Sequence, residues 1–191
     1  MTDYPRSLAG RIAAAWRDPA ASWRAEWAPP PPEARLVAMA FGAALFLTLG
    51  PLAAETIRPS QALGEDRTPW FAARLLIGFS FLPLSLYAVA ALIRMISAVF
   101  GGRAQGDGGD WKACRLAFFW SALASGPVAA LLYAIGAVSG STSAGAAASG
   151  IAWLMLLAPM LAAAQSFQTR RVALAFAGLA ALALLAPVAI G

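Results

Sequence analysis

The alternation of apolar and polar positions divides the chain at about residue 35. Beyond it, five apolar stretches alternate with short polar links. The first runs from 36 to 54, between Arg35 and Glu55. The second is free of charge from 75 to 93, between Arg74 and Arg94, and its helical pattern extends it to 72–99. The others fall at about 114–138, 146–168 and 172–190. Each holds a run of at least 19 residues without a charge, as 36–54 does. At 1.5 Å per residue that makes roughly 28 Å of helix, close to the roughly 30 Å of bilayer hydrocarbon. Hydrocarbon offers backbone amides no partner outside the segment, so each stretch is predicted to be an α-helix. The fold class expected is all-α: a polytopic membrane bundle of five transmembrane helices, residues 35–191, preceded by an N-terminal interfacial amphipathic segment, residues 1–34. The first stretch is expected to be a retained anchor, because its 19 apolar positions exceed a signal-peptide core of about 7–15 residues.

The N-terminal segment carries a pattern of its own. Leu8, Ile12, Ala15 and Trp16 recur at helical spacing, with Arg11 and Arg17 off that stripe. Asp18-Pro19 breaks the pattern and can open a second short helix, Asp as N-cap and Pro at its first position. On that helix Trp23 and Trp27 are four apart, with Arg24 beside them. Indole rings settle at headgroup depth and arginine pairs with anionic lipid. Trp16, Arg17, Trp23, Arg24 and Trp27 are therefore candidates for a membrane-interface or partner-docking face. A helix lying flat on the cytoplasmic leaflet is the favoured arrangement. Pro29 to Pro32 form an extended spacer into the first span.

Composition supports lipid as the solvent of most of the surface. The chain is 60% hydrophobic and 12% charged. A soluble domain has about 45–50% apolar and about 25% charged residues. The net charge of +5 is carried almost wholly by arginines beside apolar stretches, which form no nucleic-acid-binding face. Eleven of the 14 bases fall before the first span, around the second link (Arg94, Arg103, Lys112, Arg115) and at Arg170-Arg171. The positive-inside bias then places the N-terminus in the cytoplasm and the C-terminus in the periplasm of a bacterial inner membrane.

The residue inventory excludes most chemistry. There is no His and a single cysteine, Cys114. His-based triads and the usual zinc, haem and copper sites lack their groups. No catalytic residue, cofactor or metal is assigned, and the chain is expected not to be an enzyme. The Gly-rich link from Gly101 to Asp110 lacks the Gly-Lys-Ser/Thr ending of a phosphate-binding loop. The link from Ser139 to Gly145 reads as flexible and low in complexity.

Each apolar stretch holds one proline: Pro51, Pro83, Pro127, Pro159 and Pro187. Pro83, Pro127 and Pro159 lie deep enough to kink a span. They read as packing geometry or as hinges of a small carrier, with Ser80, Ser85 and Ser125 near enough to satisfy freed carbonyls. Pairs of small residues four apart (Ala40/Ala44, Ala122/Gly126, Ala146/Gly150, Ala177/Ala181) allow close helix approach.

The layout resembles the bacterial branch of the Yip (Ypt-interacting protein) family. Leu82-Pro83-Leu84-Ser85-Leu86-Tyr87-Ala88 carries the likeness, with the turn at Gly101-Gly102 and Arg115-Leu116-Ala117-Phe118-Phe119-Trp120 with Pro127 downstream. Trp16-Arg17-Asp18-Pro19 in a cytoplasmic N-terminus belongs to the same pattern. The Asp-Leu-Tyr-Gly-Pro motif of eukaryotic members, which contact Rab-type GTPases, is missing. The resemblance therefore implies a five-span membrane protein and transfers no functional residue. The expected function is non-catalytic binding of other membrane proteins or lipids, as scaffold, assembly factor or accessory subunit. The alternative is a small carrier or channel with proline-kinked spans. Expected partners are the lipid bilayer and a membrane protein of unknown identity, with no nucleic acid.

Overall fold

A computed structural model describes residues 4–28, 30–59, 67–102 and 110–168, together with 171, 172 and 175. Among the described residues the chain is entirely helical, with six α-helices. These are α1 (Leu8–Arg17), α2 (Pro19–Trp27), α3 (Glu33–Ile57), α4 (Thr68–Val99), α5 (Asp110–Ser139) and α6 (Thr142–Gln165). The last four are long and apolar enough to cross a membrane. They correspond to the first four predicted spans. The predicted fifth span, 172–190, lies outside the described residues except at Val172 and Ala175, as do Pro187 and the Ala177/Ala181 pair.

The two short helices begin where the local chemistry directs. Ser7 caps α1 by accepting from the Gly10 amide at 3.2 Å. Asp18 caps α2 by accepting from the Ala21 amide at 2.9 Å, with Pro19 in the first turn. Pro32 is extended at φ −64°, ψ 155° and leads directly into α3.

Helices α3 to α6 run alternately up and down. Arg115 at the start of α5 grips Glu33 at the start of α3 through two hydrogen bonds of 2.9 Å. The Cys114 thiol points at the Ala90 carbonyl in the last third of α4, at 3.7 Å. Gly136 near the end of α5 meets Gly145 at the start of α6. Arg35, Arg94 and Arg115 thus gather at one end of the bundle, and Arg58 reaches Gly140 at the other. We call the first the capped end; from it α1 and α2 pack along α5 and α6 as far as mid-height, where Trp16 meets Ala124.

Helix α5 is the axis, packed most extensively on α6 and α3. From Ala113 to Ser125 nearly every position is buried, Phe118, Phe119 and Trp120 among them. Four spans alone could not enclose one of their members all round; α1 and α2 supply the missing wall. Helix α4 is the most outward-facing of the four long helices. It crosses α3 closely where Gly78 leaves room for Thr48, whose hydroxyl bonds back to the Ala44 carbonyl at 2.8 Å.

The link expected to be flexible between 139 and 145 is instead a tight turn. Helix α5 runs through Ser139, Gly140 takes φ +82°, and α6 begins at Thr142. The positive φ is left-handed backbone that glycine adopts without penalty. The Gly145 amide bonds to the Ser141 carbonyl at 3.1 Å and closes the first turn of α6. A Ser/Thr-rich run is as suited to opening a helix as to forming a loop. The fourth span therefore starts earlier than 146, and it ends at Gln165 rather than 168.

Pro51, Pro83, Pro127 and Pro159 all sit inside continuous helices. The serine hydroxyls do not serve the carbonyls that Pro83 and Pro127 displace, those of Phe79 and Leu123. Ser85 donates to Phe81 O at 2.9 Å and Ser125 to Ala122 O at 3.1 Å.

Candidate functional site: the N-terminal cap and the groove beside it

Glu26 organises the cap. Its side chain is fully buried, where a lone carboxylate would be prohibitively costly. Arg11 from α1 meets it through Nε at 2.6 Å and Nη2 at 2.5 Å, and Arg35 from α3 reaches Oε2 as well. Tyr4 adds a hydroxyl donor at 2.8 Å. Three separate parts of the chain thus converge on one carboxylate. The Arg11 guanidinium also lies over the Trp120 ring, 5.2 Å from its centroid. Burial works against the charge on Arg11, but the Glu26 carboxylate outweighs it and holds the guanidinium above its usual range. Burial likewise pushes the Tyr4 hydroxyl above its ordinary value; the Ser22 contact opposes the rise and Glu26 reinforces it.

The tryptophans of the cap divide their roles. Trp23 is only 1% exposed and stacks on Trp27 at 5.6 Å between centroids. Trp16 is half-buried and donates its indole N–H to the Ala124 carbonyl of α5 at 3.1 Å. Trp120 donates to Ser22 at 2.9 Å. Arg17 and Arg24 point outward. The five residues predicted as one interface therefore do not share a face. The rings of Trp16 and Trp23 turn toward the bundle, and the two arginines turn away. Trp23 is thus buried in the hydrophobic core and does not share an outward face with Arg24. Helical spacing had marked an apolar face without identifying what covers it. Glu26, Arg11, Arg35 and Tyr4 escaped the sequence reading. Their only signal was a single carboxylate between two tryptophans in an arginine-rich segment.

Of the kink candidates, Pro83 is buried, Pro127 is exposed and Pro159 is half-buried. A partly open pocket of about 190 Å³ lies at mid-height between α3, α5 and α6, with Leu86 of α4 at its edge. Ser125, Tyr133 and Ser149 are among its lining residues, and Gly150 borders open space. The Ser149 hydroxyl is already committed, 3.1 Å from the Ala129 carbonyl and 2.8 Å from that of Gly145. Among the described residues no three His, Cys, Asp or Glu side chains are grouped to hold a metal ion.

A larger groove, about 330 Å³, opens on the outside of the capped end. The last two turns of α4 form one wall with Ile93, Ile96 and Phe100; Leu161 of α6 and Val172 form the other. Ser97 and Arg171 are the polar residues lining it. Such a groove can hold a hydrocarbon chain or an apolar side chain, with the Arg171 cation at hand. No protein-family model, curated protein or solved structure matches the chain.

Proposed function

We propose that this chain is a non-catalytic multi-pass protein of the bacterial inner membrane that binds another membrane component, a protein or a lipid, as scaffold, assembly factor or accessory subunit. The observation that carries this reading is the outer groove between α4 and α6. It is apolar and open at the surface. The N-terminus-inside orientation is proposed from the distribution of bases. Kinship with the bacterial Yip proteins is proposed from the pattern around Pro83 and Trp120.

The test is mass spectrometry of the intact chain released from its membrane in mild detergent. A protein or lipid should accompany the wild type and be lost from an Ile96→Trp variant, which fills the groove. A bare chain that moves a solute across liposomes would overturn the reading.

That outcome belongs to the second reading, a small carrier. It is favoured by one observation, the partly open pocket between α3, α5 and α6. Gly150→Leu would fill that pocket and should then stop the flux.

A further inference from the structure

We infer that the outer groove is a site for one anionic phospholipid, with an acyl chain between α4 and α6 and the phosphate on Arg171. The inference rests on the binding role proposed above and names the ligand.

Two helix ends build the rim. Helix α4 stops at Val99, Gly101 turns at φ +78°, and the Gly102 amide bonds back to the Ser97 carbonyl at 2.8 Å. Helix α6 stops at Gln165, Ser166 turns at φ 57°, and the Phe167 amide bonds back to Ala162 at 2.9 Å. Both are left-handed helix caps, and both fold the chain back over its last turn. They bring the Phe167 ring against Gly102, where a β-carbon would lie 2.8 Å from the ring. The rim is therefore fixed by backbone geometry.

Depth selects the ligand. The charge-free part of α4 ends at Arg94, so residues 93–100 lie where hydrocarbon gives way to headgroups. At that level Phe100 remains 75% exposed and Ile96 43% exposed. An acyl chain entering from the bilayer would cover this surface and bring its phosphate to the height of Arg171, which is exposed. Among the described residues no carboxylate lines the groove. The two helix C-termini carry roughly half a negative charge each and oppose an anion. The Arg171 guanidinium offsets them, so a moderate preference for anionic lipid is expected, about fivefold.

The experiment uses the full chain in mild detergent, mixed with phosphatidylglycerol or phosphatidylcholine of identical chains, and counts lipid adducts by native mass spectrometry. One retained lipid is expected, with phosphatidylglycerol favoured about fivefold. Arg171→Gln should abolish the preference, and Arg6→Gln, at an exposed arginine ahead of α1, should keep it. Thermal melting checks that both variants fold. Equal retention of the two lipids by the wild type, or a preference that survives in Arg171→Gln, would overturn the inference. So would the absence of any adduct, which would mean that the groove is covered by protein, whether a second copy, a partner or the rest of this chain. A protein partner recovered without lipid would overturn the lipid assignment and leave the binding role standing. Solute flux by a chain that still prefers phosphatidylglycerol would overturn the binding role and support the lipid site.

Discussion

Trp120 of α5 donates its indole N–H to the Ser22 hydroxyl of α2 at 2.9 Å, across 98 positions of sequence. That bond joins the axis of the bundle to the N-terminal helices. It places Ser22 and Trp23, both buried, against α5 and α6.

The part of the wild-type emission that Trp23→Phe removes should lie at short wavelength. It should resist both aqueous quenchers and quenchers attached at headgroup depth. Trp23→Ala should destabilise the protein by about 3–5 kcal/mol, the usual cost of truncating a buried indole. Efficient quenching of Trp23 from either phase would show that the cap is not seated.

Glu26→Gln should lower stability by about 2–4 kcal/mol. Removing one partner of a buried ion pair costs about 3–5 kcal/mol, and the figure is discounted here because Arg11 and Arg35 are partly exposed. The variant leaves two guanidiniums facing a neutral amide. The combined variant Glu26→Gln, Arg11→Met should recover part of the loss by relieving their repulsion. Unchanged melting of the single variant would contradict the central role given to this carboxylate.

The Tyr4 hydroxyl supplies a pH signature. Its value is raised above the ordinary 10.0 by burial and by Glu26. The folded chain therefore holds the phenolic proton more tightly than the unfolded chain does. The stability this confers is fully present below pH 10.0 and is lost as pH rises through the folded value. The difference in melting temperature between wild type and Tyr4→Phe should be constant below pH 10.0 and shift against the wild type above it. A shift in its favour on the alkaline side would contradict the assigned environment.

Gly145 and Gly150 occupy neighbouring turns of α6 and should respond oppositely. A β-carbon on Gly145 would lie 2.6 Å from the Leu132 carbonyl, so Gly145→Ala should cost about 1–3 kcal/mol by forcing α5 and α6 apart. Gly150 has nothing within 4 Å of that position, so Gly150→Ala should change stability by no more than about 0.5 kcal/mol. Melting of the two variants in one detergent checks the pair.

These contrasts show what could be read from the chain and what could not. The four described spans were legible because charge-free runs of membrane length admit one backbone solution. The break at Asp18-Pro19 was legible because a cap is local chemistry. The destination of Trp23 was not, since an apolar stripe is equally suited to headgroups and to a neighbouring helix. The Ala122/Gly126 spacing did mark a close approach, with Gly126 against Phe46. The Gly136–Gly145 crossing was missed because its members lie on different helices, and the turn that joins them read as a flexible loop. The groove was illegible because Phe167 and Gly102 meet only after two left-handed helix ends turn the chain.

The binding role is tested most directly by photo-crosslinking in the native membrane. A photoreactive residue replaces Ile96 in the groove or, as a control, Leu131 on the outward face of α5, which is also apolar and exposed. The account predicts one discrete adduct at position 96, a single partner protein or lipid species, and only the bulk lipid mixture at position 131. Indistinguishable labelling at the two positions would contradict it.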